Sequence, residues 1–227
     1  GICPYVCTYP GHGFLMYGAM YVGVSMPELA TDQHVPELAR GGKAAQKQFH
    51  AWGHKRPLMY RIFMPDASPA AIAVGLKHGQ NYCWDAGQCR LRYAWYGGFV
   101  DPSPVWRGNG NGLAGVLGTK YWESEMPGTI RVGGGDSEPE FLGYKKVDGQ
   151  PEFHFRVNDT DVYELITPLH SIIGIQRSFR IPNNTQPVSL PVGPTSRVAF
   201  EHSAGKLENN LLTLSAEEAR AFTVFIG

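Results

Sequence analysis

The chain has no surplus charge of either sign: Lys and Arg number 20, Asp and Glu number 20, and the formal net charge at neutral pH is zero. With no basic excess and no long single-sign run, the electrostatic term that draws proteins to nucleic acid or to anionic lipid is missing, and neither partner is expected. No apolar run approaches the roughly 20 residues that a helical membrane span requires, and no basic segment precedes an apolar stretch at the N-terminus. Cysteine is scarce, with four in 227 residues, and none lies in a Cys-x-x-Cys-His arrangement, so the chain does not itself attach a c-type haem. No Ser-His-Asp order and no zinc-ligand spacing is visible, and with glycine at residue 1 a copper brace built on an N-terminal histidine is not expected. What the chain does have is 43% hydrophobic and 12% aromatic residues, enough for the packed core of a soluble globular protein with one large or two modest domains.

The most informative stretch is Tyr5 to Val22, YVCTYPGHGFLMYGAMYV. Cys7, His12 and Met16 fall there around a Pro10-Gly11 turn, between two aromatic, strand-like runs. A thiolate, an imidazole and a weak axial thioether are donors of a blue-copper centre, whose trigonal plane is two imidazoles and one thiolate. CTYPGH followed by Met at this spacing resembles the C-terminal ligand loop of azurin-type and auracyanin-type cupredoxins, over about a tenth of the chain. The resemblance implies Cys7 as thiolate ligand, His12 as C-terminal imidazole, Met16 as axial ligand, and copper as cofactor. It implies one-electron transfer to a redox partner such as a c-type cytochrome, in a periplasmic or extracellular setting. The second imidazole is not identified. In the family it comes from an earlier strand, so Gly1 is read as the edge of a fragment.

The cysteines fall as two local pairs. Cys3 and Cys7 share a strand face but lie roughly 13 Å apart at strand rise, too far for a bridge. Cys83 and Cys89 flank WDAGQ, whose Asp85 to Gly87 carries turn chemistry, and a disulfide across that hairpin is expected; two buried free thiols are the other reading. A bridge there would argue for an oxidising compartment.

Residues 25–56 read as a linker after a partial cupredoxin at 1–24. Pro27 and Pro36 break any continuous helix, although Glu37 to Gln48 suits a short one. His34, His50 and His54 lie here as ordinary solvated or packing side chains, and none is assigned as the missing copper ligand. Residues 57–227 read as β almost throughout, in short runs starting at Leu58, Ala71, Arg90, Glu140, Glu152, Asp161, Ile172, Arg197, Leu211 and Phe222. In EFHFRV, Phe153, Phe155 and Val157 share one face and Glu152, His154 and Arg156 the other. Asp148-Gly149 signals a type I′ hairpin turn. The fold class is therefore all-β: the last hairpin of a cupredoxin followed by a β-sandwich-like domain.

Several patterns within the β region carry less. Gly110, Gly112 and Gly115 fit G-x-G-x-x-G, but an all-β setting lacks the βαβ unit of a dinucleotide site. Asp136, Glu138 and Glu140 alternate, as do Glu123 and Glu125, and read as solvated strand-edge charges rather than a calcium or glycosidase pair. Asn158-Asp159-Thr160 and Asn183-Asn184-Thr185 are glycosylation sequons, relevant only on a eukaryotic secretory route.

Residues 81–108 crowd aromatics and charges together. Core packing is the plainer explanation. The alternative is a groove in which Trp84, Trp95 and Trp106 stack sugar rings while Asp85, Arg92 and Asp101 bind hydroxyls. This region also looks similar to β-rich modules that follow cupredoxin or cytochrome domains in large secreted bacterial redox proteins. Electron transfer is thus the leading expectation, with the β domain docking a partner. A carbohydrate-binding module or a secreted polysaccharide-active enzyme, with the copper loop vestigial, stands as the alternative. Catalytic residues are not identified.

Overall fold

The computed structural model describes residues 1–7, 17–27, 56–107, 112–124, 128–135, 139–193 and 198–227. Within them the chain is all-β, a set of antiparallel sheets with one short α-helix, α1 (Ser103–Arg107), and two single-turn 3-10 helices, Lys77–Gly79 and Glu218–Arg220. Strands β1 (Ile2–Val6) and β2 (Tyr17–Tyr21) pair by themselves, in register from Ile2 opposite Tyr21 to Val6 opposite Tyr17. The linker expected over 25–56 falls largely outside the described residues.

A five-stranded sheet follows, in the order β3 (Leu58–Arg61), β4 (Ala71–Gly75), β5 (Gln80–Asp85), β6 (Arg90–Asp101) and β7 (Gly115–Glu123). Strands β4 and β5 are buried at every position, so neither shows the alternation of a half-exposed strand. One face of this sheet carries Ile72, Val74, Tyr82, Trp84 and Leu91; the other carries Ala71, Ala73, Cys83, Tyr93 and Trp95, which pack with Ile62, Met64, Phe99 and Val105 in a second core. Strands β6 and β7 run very close together at their glycines. A Cβ on Gly98 would lie 2.3 Å from the Leu117 carbonyl oxygen, and one on Gly118 would lie 2.3 Å from that of Tyr96, so side chains are excluded there.

The remaining strands form two sheets. β8 (Arg131–Val132), β13 (Val188–Pro191), β15 (Lys206–Glu208) and β16 (Leu211–Leu214) make a four-stranded sheet, ordered β15-β16-β13-β8. A six-stranded sheet is ordered β14-β17-β12-β11-β10-β9, from β9 (Glu140–Val147), β10 (Gln150–Val157), β11 (Thr160–Pro168), β12 (Ile175–Arg180), β14 (Phe200–His202) and β17 (Ala221–Ile226). After β12 the chain passes back and forth between these two sheets.

The alternation expected in β10 is present: Phe153, Phe155 and Val157 are buried while Glu152, His154 and Arg156 are half-buried on the opposite face. Those inward rings meet the five-stranded sheet directly, with Trp84 stacked on Phe153 at 4.0 Å between centroids and 2° between planes. Such a pair adds about 0.5–1.5 kcal/mol beyond the area it buries. Side chains of all three large sheets thus share one core. The β9–β10 hairpin turns at Asp148 and Gly149, both at positive φ (50° and 82°) as a type I′ turn demands. Asn158-Asp159 and Asn209-Asn210 do the same for β10–β11 and β15–β16, so the first sequon asparagine is part of a tight turn.

Candidate functional site

Two places merit attention: the N-terminal hairpin and a polar cleft in the β body. In the hairpin, alternation puts Cys3 and Tyr5 on one face of β1, opposite Met20 and Gly18 of β2. Cys3 and Met20 are exposed, and Cys7, just past the strand, is half-buried. The Val6–Tyr17 pair brings together the two ends of the segment 7–16, which holds all three expected copper donors. His12 and Met16 lie outside the described residues, as do His34, His50 and His54. Among the described residues no group of three or more His, Cys, Asp or Glu side chains is gathered as a metal site would gather them.

In the body, the bridge expected between Cys83 and Cys89 is not formed. Cys83 lies opposite Tyr93 across the β5–β6 ladder, whereas Cys89 lies in the turn itself, at φ 49°. Cys83 belongs to the second core and Cys89 to the first, so the sheet separates the two thiols. Burial, before any neighbouring charge, pushes each up to about 12, which leaves both as neutral thiols near pH 7, unsuited to nucleophilic attack or metal ligation. The argument for an oxidising compartment from this pair falls with the bridge.

The sugar-stacking groove meets a similar correction. Trp84 and Trp95 are fully buried on opposite faces of the five-stranded sheet, and one groove cannot use both. Trp95 donates from Nε1 to the carbonyls of Gly98 (2.9 Å) and Phe99 (3.1 Å). Asp85 is buried too, accepting from the Ser68 and Gly87 amides at 2.8 and 2.9 Å and from the Ser68 hydroxyl; it fixes the β5–β6 turn. Arg92 donates to the Asp66 carbonyl at 2.6 Å, and Asp101 accepts the Ser103 amide at 2.9 Å at the start of α1. The side chain of Trp106 lies outside the described residues. Gly115 opens strand β7, where a dinucleotide fingerprint needs a helix. Glu123 pairs with Lys120 at 3.3 Å and Glu140 faces Arg156 at 3.9 Å, both at the surface; Glu125, Asp136 and Glu138 lie outside the described residues.

The polar feature of the core is a pair that the sequence reading did not single out. Glu164 on β11 sits inward between Val162 and Ile166, and Arg177 on β12 sits inward between Ile175 and Phe179. They are 1% and 3% exposed, and Arg177 Nε donates to Glu164 Oε1 at 2.6 Å. From the facing sheet, Trp84 Nε1 donates to Glu164 Oε2 at 3.0 Å, so both carboxylate oxygens are engaged. Burial first, and then the Glu164 charge, holds the Tyr82 phenol well above its ordinary value; its hydroxyl has no hydrogen-bond partner among the described residues. The signal was present in the alternation: a period of two through DVYELI and IQRSF places an acid and a base in the apolar stripes.

Arg177 and Glu164 line a small cleft with Cys89, Arg90, Thr129, Phe155 and Phe179. At its rim Thr129 Oγ1 donates to the Cys89 carbonyl at 2.6 Å, and Arg90 reaches the Gly128 carbonyl at 3.4 Å. No protein family, no curated protein and no solved structure matches this chain.

Proposed function

We propose that the chain belongs to a copper-dependent electron carrier of the periplasm or cell exterior, with the cupredoxin-like ligand loop at 7–16 and a β-sandwich-like body that docks it to a redox partner. The observation that carries this reading is the antiparallel β1–β2 pairing, which sets Val6 opposite Tyr17 and so brings together the two ends of the stretch whose sequence holds Cys7, His12 and Met16. That is the setting in which a thiolate, an imidazole and a thioether can converge on one ion, and the donor set is soft enough to favour copper over harder cations. Copper would supply a one-electron couple there. Cys7, His12 and Met16 would hold it, the strands would fix the spacing of the first and last of them, and a second imidazole would complete the trigonal plane from elsewhere.

The test supplies that imidazole. Cu(II) added to the chain with free imidazole should give an intense thiolate-to-copper charge-transfer band in the visible, and Cys7→Ser should remove it while leaving the far-ultraviolet circular dichroism of the β body intact. No band from the unsubstituted chain, or a band that survives Cys7→Ser, sinks the reading.

A further inference from the structure

Two histidines carried by different sheets meet at the surface. His78 lies in the single turn Lys77–Gly79 between β4 and β5, and His170 lies in the turn between β11 and β12. Their ring centroids are 5.5 Å apart with 74° between the planes, and both residues are exposed. They differ in setting from His154, which is bonded to Asp161, and from His202, which is bonded to the Ala204 carbonyl: among the described residues the contact of each ring is the other ring. What places the rings lies beneath them. Gln80 is 2% exposed; its Nε2 reaches the Ile172 carbonyl at 3.5 Å, joining the two turns, and its Oε1 accepts from the Tyr121 hydroxyl at 3.3 Å. Each turn is also closed on itself, by the Leu76 amide on the Gln80 carbonyl at 2.8 Å and by the Leu169 amide on the Gly174 carbonyl at 3.0 Å. Backbone and a buried amide therefore hold the two imidazoles side by side.

Their separation suits a shared ion. With metal–nitrogen bonds of about 2.0–2.1 Å, ring nitrogens about 1.1 Å from their centroids and an N–metal–N angle of about 90–120°, two imidazoles on one ion have centroids about 4.5–5.5 Å apart. The observed 5.5 Å falls at the wide end of that range. We infer that His78 and His170 form a surface site for a single borderline divalent cation, Cu(II), Ni(II) or Zn(II), with water completing its coordination. The donors select the ion. Imidazole nitrogen suits these three metals, with Cu(II) held tightest, whereas Mg(II) and Ca(II) require oxygen ligands that the two rings do not offer. Because the donors come from two sheets, only the folded chain presents both, and a bound ion stabilises it. This site shares no residue with the copper loop and stands or falls separately.

The experiment titrates Ni(II) into the full chain by calorimetry and examines crystals soaked in Zn(II) for anomalous scattering. The expected result is a Ni(II) binding event that survives Cys7→Ser and a zinc peak within about 2.0–2.1 Å of one nitrogen of each ring. His78→Asn, chosen because asparagine tolerates the positive φ of 57°, and His170→Ala should each weaken Ni(II) by about tenfold or more with circular dichroism matched to the parent. The two substitutions together should weaken it no further than either alone, since one imidazole is no chelate. Ni(II) should also raise the thermal midpoint of the parent where Mg(II) at the same concentration does not. Ni(II) binding unchanged in either histidine variant, loss of the event in Cys7→Ser, or zinc bound to one ring alone overturns the inference.

Discussion

In the hairpin, Cys3 faces solvent directly across from the exposed Met20, on a two-stranded ribbon. In the five-stranded sheet, Cys83 and Cys89 are sealed in separate cores. The same element thus serves opposite ends, and the surroundings decide which. Sulfur at a strand surface is open to a soft ion or an oxidant; sulfur enclosed by aromatic and aliphatic side chains is a small hydrophobe. A parallel contrast separates the charges. Glu152, Arg156, Asp161 and Arg180 pair on the outer face of the six-stranded sheet, where water screens them, while Glu164 and Arg177 pair within the core, where nothing does.

The largest expected effect attacks the buried end of this contrast. Glu164→Ala strands the Arg177 guanidinium and should cost about 3–5 kcal/mol in urea unfolding, whereas Glu164→Leu with Arg177→Met, which removes both charges, should cost far less. If the single and double variants were equally destabilised, packing rather than charge would explain the pair. Trp84→Phe keeps a ring over Phe153 but removes the Nε1 donor to Glu164, and a loss of about 1–3 kcal/mol is expected by the same measurement.

Smaller effects belong to the surface. The His154 hydrogen bond, followed by the Arg156 charge, holds the Asp161 carboxyl below its usual value. The folded state therefore binds that proton less readily than the unfolded state. Its contribution is complete above the ordinary aspartate range and disappears as the pH drops through the depressed value. Asp161→Asn should flatten that part of the acid limb in a series of thermal midpoints, by a small amount because the pair is exposed; an unchanged limb would show that the hydrogen bond contributes nothing measurable. The smallest effect is a null one. Reductant should leave the unfolding midpoint unchanged, and a thiol reagent should modify Cys3 in the native protein but reach Cys83 and Cys89 only on unfolding.

The strands with one wet face were legible in the sequence because alternation marks them: β10, β11 and β17 fall where the pattern put them, and Asp148-Gly149 turns as its chemistry requires. Strand β5 escaped because both its faces are buried; Asn81 is there to bond a neighbouring bulge, and Asp85, which reads as a turn residue, ends the strand and holds the turn. Strand β7 is thinned by Gly115 and Gly118, and β8 has only two residues. The expected Cys83–Cys89 bridge assumed that both cysteines lie on facing strands. Spacing alone does not reveal that the turn takes up residues 86–89, nor which face each sulfur takes. The Trp84 and Trp95 groove failed for the same reason, since both belong to core stripes on opposite sides. Glu164 and Arg177 were readable from register, but only by asking which charged residues occupy inward positions.

Strand β17 lies between β12 and β14, and those strands are joined through β13 of the other sheet. During synthesis, both flanking strands leave the ribosome with an open ladder edge and wait for residues 221–226 to fill the slot. The unpaired edge of β12 presents free backbone N–H and C=O groups, with Ile175 and Phe179 among its side chains, to which another extended chain can pair. A nascent chain stalled before residue 221 would therefore be a natural client for a chaperone.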